Sequence, residues 1–320
     1  MPSAFPPPAS GGGSSLQSKV NEMDATPKPI LLVWLALRGV PEFTATREQV
    51  ARWAAQVPEL EVVFADSQEA FVRNLSRATY VLTFRFSEAW LPLTYRLKWI
   101  ATPAAGRELL GARLPDRIRL THGTFHGEIM AESVVGMLLA VRRGLLPGLG
   151  LCTAANPWPE FIPNRTTIAG STAVILGYGH IGQAIGRKLE ALGVTIHGIR
   201  RANLPELPAL LPKADALILA LPATRETDRL LDTAALARLP AHAVLINVGR
   251  GNAVDEEALA QALEAGRLHA AFLDVLQTEP YPADGPLRKA PRCFLLPHAS
   301  AFAPDYLDRA FQAWLDEYRG

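Results

Sequence analysis

The chain has 320 residues, enough for two domains that each bury a core of their own. Lys and Arg number 32 against 31 Asp and Glu, a net charge of +1, so no global field draws it to nucleic acid or to an acidic lipid surface. Its two cysteines, Cys152 and Cys293, stand far apart and outside any metal or redox spacing. They read as small buried hydrophobes in a reducing cytosol, which places the protein in the cytoplasm with no metal site. The apolar run Ile30–Leu37 is strand-sized, and no run reaches the length of a membrane helix.

Residues 1–27 are rich in Pro, Gly and Ser, with runs at Pro6–Pro8 and Gly11–Gly13, and are expected to form a disordered tail. From Pro29 short apolar runs alternate with helical patterns. The expected strands are Ile30–Leu37, Glu61–Phe64, Tyr80–Phe84, Lys98–Ala101 and Arg119–Thr121, with helices over Arg47–Gln56 and Gln68–Asn74. That order predicts a mostly parallel sheet. A long helix over Ala131–Arg143 follows, then a loop containing Asn156–Pro159. A second series then has strands at Thr172–Leu176, Thr195–Ile199, Ala216–Leu219, Ala243–Asn247, Leu268–Phe272 and Phe294–Leu296. The fold class is therefore α/β, with two doubly wound parallel-sheet units. Trp34, Trp53, Trp90 and Trp99 lie in apolar surroundings and read as core.

The second unit opens on Gly177, Gly179 and Gly182 in G-x-G-x-x-G spacing, between an apolar strand and a helical pattern at Ile181, Ile185 and Leu189. In that context the glycines hold a dinucleotide pyrophosphate at a helix N-terminus. Gly177 allows the turn, Gly179 the approach of the phosphates, and Gly182 the packing of helix on strand. Further on, Asn247–Gly251 closes one strand, Asp274–Pro280 follows the next, and Leu296–Ser300 the one after. Arg250, Glu279 and His298 thus leave the ends of three successive strands, where ligands sit in open α/β sheets. The set suffices for hydride chemistry on a 2-oxo acid. Arg250 offers a planar fork to a carboxylate and polarises a carbonyl, His298 supplies a proton, and Glu279 orients its ring.

Together with Ala101–Gly106, Ala131–Arg142 and Leu221–Thr227, these segments make the chain resemble the D-isomer-specific 2-hydroxyacid dehydrogenases from about Ile30 onward. The resemblance implies a catalytic Arg250–Glu279–His298 triad. It implies a Rossmann cofactor domain over residues 122–296, inserted in a flavodoxin-like substrate domain made of residues 28–121 and 297–320. Ala105 and Gly106, with Arg250 and His298, would hold the substrate. The expected cofactor set is Gly177, Gly179, His180, Ile181, Gly182, Arg200, Arg201, Leu221, Pro222, Thr227, Val248, Gly249 and Asp274, with Asp274 touching the nicotinamide carboxamide. The helix Ala131–Arg142 would link the domains and build a homodimer. One departure is that Arg107 and Glu108 follow the loop glycine where the family carries Val-Asp.

Thr224 and Thr227 either contact the cofactor or cap a helix after Pro222. Of the remaining histidines, His122, His180, His197, His242 and His269 read as structural, while His126 lies near enough to the hinge to reach substrate. The strand Thr195–Ile199 ends in Arg200 and Arg201, where sites that use NAD carry a carboxylate. The guanidinium suits a 2′-phosphate, so NADP(H) is expected to be preferred, with NAD(H) possible. Reduction of a small acid such as glyoxylate or hydroxypyruvate is the leading expectation. The alternative is a dinucleotide-sensing, corepressor-like binding protein, which a fall in absorbance at 340 nm with 2-oxo acids would exclude.

Overall fold

A computed structural model gives the fold and describes residues 27–37, 40–106, 110–146 and 165–320. The Pro-rich tail up to residue 26, Arg107, Glu108, Cys152 and the Asn156–Pro159 loop lie outside the described residues. The first sheet contains β1 (Ile30–Trp34), β2 (Glu61–Phe64), β3 (Tyr80–Thr83), β4 (Trp99–Thr102) and β5 (Arg119–His122), in the order β2-β1-β3-β4-β5. Every pairing is parallel. All five residues of β1 are buried, as a strand covered by helices on both faces requires. The strand stops at Trp34, short of the expected Leu37, because the chain folds back and Ala45 donates its N–H to the Leu35 carbonyl at 2.9 Å.

Helices α1 (Arg47–Ala54) and α2 (Gln68–Leu75) are started by Thr46 and Ser67, whose hydroxyls accept from Gln49 N at 3.1 Å and Ala70 N at 3.2 Å. The long helix α3 runs from His126 to Arg142, five residues earlier than its apolar period indicates. Its extra first turn is buried against α4 (His180–Ala191). There a Cβ on Gly127 would stand 3.1 Å from the Ala184 Cβ.

The second sheet holds β6 (Thr172–Leu176), β7 (Thr195–Ile199), β8 (Ala216–Leu219), β9 (Val244–Asn247), β10 (Ala270–Leu273) and β11 (Cys293–Leu295). Its order is β7-β6-β8-β9-β10-β11, again parallel throughout. The order reverses at β6, so the crevice of the switch point opens beyond Leu176. One face is covered by α3 and α4 through Met130, Val134, Leu138, Ile185 and Leu189, and the other by a core around Leu217, Leu245 and Leu259.

The C-terminal helix, Tyr306–Arg319, returns to the first sheet. Leu307, Phe311, Trp314 and Leu315 join Leu31, Val33, Trp53 and Trp99 in one core, and the Trp53 and Phe311 rings stack at 5.0 Å. The beginning and end of the described chain thus share a core. Trp34, Trp53 and Trp99 are buried, and Trp90 packs beside Trp34.

Candidate active site

The turn after β6 is fixed by contacts that only hydrogen permits. Gly177 has φ +88°, and a Cβ there would lie 2.5 Å from the Ala220 carbonyl oxygen. A Cβ on Gly182 would lie 2.4 Å from the Gly177 oxygen, so α4 sits directly on the turn. At Gly179 nothing lies within 4 Å, and this is the open face toward which the first N–H groups of α4 are left unpaired. His180 is exposed there, while the half-buried Ile181 side chain packs into the core and leaves only its backbone to a ligand. The Tyr178 ring fills the space left by Gly186 and Gly198, and its carbonyl accepts from Arg200 Nε at 2.8 Å.

A cleft of about 520 Å³ opens above this turn, between the ends of β6, β7 and β8. Leu204, Leu221 and Leu230 give it apolar walls, Pro222 and Thr224 border it, and Arg200 and Arg201 stand at its rim. An apolar slot, an open glycine turn at a helix N-terminus and guanidinium groups at the far edge fit a dinucleotide. The segment after Pro222 forms a turn rather than the expected helix. Thr227 is buried, donating to the Pro222 carbonyl at 2.8 Å and accepting from Thr224 N at 2.9 Å, so its hydroxyl holds a turn that lines the cleft. Val248 and Gly249 are buried as well, and the Val248 side chain belongs to the core.

Asn247, Leu273 and Leu295 lie across from one another in register, so the three loops that follow leave one edge of the sheet. Arg250 comes three residues past β9, and its Nη1 donates to the Gly249 carbonyl at 2.8 Å. A Cβ on Gly251 would stand 2.0 Å from the Leu276 carbonyl carbon, so the Arg250 loop nests against the backbone that leads to Glu279. Glu279 Oε1 accepts from Leu276 N at 2.9 Å, which aims Oε2 at His298 Nδ1, also at 2.9 Å. A carboxylate only accepts, so Nδ1 carries the proton of the neutral ring and Nε2 is the other, accepting nitrogen. His298 itself has φ +57°, a conformation rare for a side-chain-bearing residue.

Asp274 follows β10 directly. It is 1% exposed, and its two oxygens accept from Ala299 N at 2.7 Å and Ser300 N at 2.9 Å. It therefore clamps the backbone that follows His298. Ser133 of α3 adds a third tie, donating to the Ser300 carbonyl at 2.8 Å. Ala105, exposed, and Gly106, half-buried, lie past the end of β4 in the first sheet.

His126 is enclosed. It is 4% exposed, with Nδ1 at 3.1 Å from the Gly123 carbonyl and Nε2 at 2.9 Å from the Tyr306 hydroxyl. Burial pulls its pKa down to about 4, the Gly123 contact opposing that shift. His242 is half-exposed and meets Asp215 at 2.9 Å. Among the described residues no group of three or more His, Cys, Asp and Glu is placed to hold a metal ion. None of their helices is long and apolar enough to cross a membrane.

Residues 135–300 match the profile described as "D-isomer specific 2-hydroxyacid dehydrogenase, NAD binding domain". The chain belongs to the D-isomer-specific 2-hydroxyacid dehydrogenase family. It is 32% identical over 259 residues to a glyoxylate reductase of Thermofilum pendens, covering 73% of this chain and 76% of that one. The D-3-phosphoglycerate dehydrogenases of Mycobacterium tuberculosis are 34% identical over 191 residues, which span only 36% of their length. Among solved structures, a D-isomer-specific 2-hydroxyacid dehydrogenase of Xanthobacter autotrophicus, in complex with NADPH and MES, superposes with a TM-score of 0.72. It is 25% identical, with 90% of this chain and 94% of that one covered.

Two residues bearing on this family's fold here escaped sequence reasoning. Tyr306 joins His126 to the Pro103 carbonyl, which it meets at 3.3 Å, but an aromatic at the start of an amphipathic helix reads only as core. Glu226 stands 3.6 Å from Arg201, and its position inside the Leu221–Thr227 motif was the available signal.

Proposed function

We propose that the protein reduces a small 2-oxo acid, of the glyoxylate or hydroxypyruvate kind, to the D-2-hydroxy acid, with NADPH preferred over NADH. The observation that carries this reading is the 2.9 Å contact of His298 Nδ1 with Glu279 Oε2, on the same sheet edge as the glycine turn. A bound reduced nicotinamide supplies hydride to the substrate carbon. The Arg250 guanidinium takes the substrate carboxylate in its fork and polarises the carbonyl, and backbone groups at Ala105 and Gly106 help hold the acid. Protonated His298 gives the proton on Nε2 to the carbonyl oxygen, while Nδ1–H stays bound to Glu279. The half-exposed His298 ring is reachable by a small acid from solvent.

Arg200 and Arg201 at the cleft rim support the 2′-phosphorylated cofactor, as does the NADPH complex of the Xanthobacter relative. The partition into residues 28–121 with 297–320 and residues 122–296, the cytoplasmic location, and a homodimer built on α3 complete the proposal. The test is oxidation of NADPH at 340 nm with a panel of 2-oxo acids, for the wild type and His298→Gln. The variant is expected to bind NADPH normally and lose about 10²–10⁴ in kcat. Turnover above a tenth of wild type would remove His298 from the proton step. No turnover by the wild type with any acid would favour the dinucleotide-sensing reading.

A further inference from the structure

We propose that Glu226 tunes how strongly the cleft discriminates between adenosine riboses with and without a 2′-phosphate, by competing with that phosphate for Arg201. The inference rests on the dinucleotide reading of the cleft and assigns different work to the two arginines at its rim.

Arg200 is already committed. Its Nε donates to the Tyr178 carbonyl at 2.8 Å, bracing the glycine turn from the end of β7. Its own N–H donates to Asn203 Oδ1 at 2.7 Å, and Asn203 Nδ2 donates to the Gly198 carbonyl at 3.2 Å. The turn that launches Arg201 is therefore fixed at its backbone. Arg201 itself extends into solvent with 80% of its side chain exposed, and its Nη2 lies 3.6 Å from Glu226 Oε2.

The two partners come from loops on opposite sides of β6, Arg201 after β7 and Glu226 after β8, and both line the cleft. The pair thus crosses the cleft at the rim where a 2′-phosphate would sit. Glu226 is held ionised by its hydrogen bond to Thr224, by its own backbone N–H, and by Arg201, which together keep it below the usual carboxylate range. A phosphate that enters must displace this carboxylate from Arg201 and then remain near it. A ribose bearing only hydroxyls meets no such repulsion. Arg201 attracts the phosphate, Glu226 moderates that attraction, and the net preference is their difference.

The pair is exposed, so the expected effect is modest. Glu226→Gln keeps the size and removes the charge. In titration calorimetry of the full chain without substrate, the Kd for NADPH is expected to fall about three- to tenfold. The Kd for NADH should change less than about twofold, and the NADPH gain should shrink in 0.5 M salt, with a Debye length of about 4 Å. An unchanged or weaker NADPH affinity in Glu226→Gln would overturn the proposal, since the carboxylate would then hold Arg201 in place for the phosphate. The cofactor reading is scored separately by the wild type. Binding of neither dinucleotide ends that reading and this one with it. Equal wild-type affinities end only the preference assigned to the arginines, and the Glu226→Gln comparison still decides the role of Glu226.

Discussion

Burial of His126 at the joint between α3, the C-terminal helix and the loop after β4 makes stability depend on pH in a definite way. In the folded protein its pKa is about 4, while the unfolded chain titrates at 6.5. Between those values the unfolded state holds the extra proton, so stability rises with pH across the window. The contribution is complete above pH 6.5 and is lost as the pH falls toward 4. A difference of that size corresponds to about 3 kcal/mol, a large part of the stability of an ordinary domain.

The lowering comes from burial alone, and the hydrogen bonds fix the tautomer of the neutral ring. The Gly123 carbonyl can only accept, so the neutral ring is protonated on Nδ1 and Nε2 must accept from Tyr306. The single Tyr306 proton is then shared between Nε2 at 2.9 Å and the Pro103 carbonyl at 3.3 Å. The assay is urea unfolding at a series of pH values from 7.5 to 4, for the wild type and His126→Gln. Tryptophan emission suits it, because Trp34, Trp53, Trp99 and Trp314 are buried in the first sheet's cores. The variant is expected to be less stable at pH 7.5 but to lose about 3 kcal/mol less than wild type across the window. Parallel curves for the two proteins would refute the assignment of the missing proton to His126.

Arg250→Lys keeps the charge and loses the fork, so KM for 2-oxo acids should rise sharply and kcat fall, with NADPH affinity changed by less than about twofold. If cofactor binding alone suffered, steady-state and calorimetric measurements together would make Arg250 a cofactor contact. Gly251→Ala would drive a Cβ into the Leu276 backbone, 2.0 Å away, and so shift the segment that carries Glu279. A destabilisation of about 1–3 kcal/mol and a fall in kcat of tenfold or more are expected, and unchanged turnover would show that the two loops move independently.

Much of the fold was legible because parallel strands covered on both faces read as unbroken apolar runs. β6, with four of its five residues fully enclosed, and β8, with all four buried, are of this kind. Strand ends were less legible because they depend on partners: β1 stops where the chain turns back, not where its hydrophobicity ends. The first turn of α3 was hidden because His126 and Gly127 break the apolar period, although Tyr306 and Phe125 cover His126 and α4 covers Gly127. The expected helix after Pro222 fails because Thr227 spends its hydroxyl on the Pro222 carbonyl and locks a turn. For Asp274 the family resemblance implies a contact to the nicotinamide carboxamide. The fold adds what the sequence could not show, that its oxygens accept from the Ala299 and Ser300 amides.

The candidate triad was legible for a further physical reason. Parallel β9, β10 and β11 lie in register, so any residue a few positions past each strand arrives at the same edge. Register brings the three loops to one edge but does not bring their side chains to hydrogen-bonding distance. Backbone contacts fix the closer spacing: Gly251 on Leu276, Leu276 N on Glu279, and Asp274 on the amides that follow His298. None of these contacts depends on which acid is bound, so the Glu279–His298 pair can be positioned before substrate arrives.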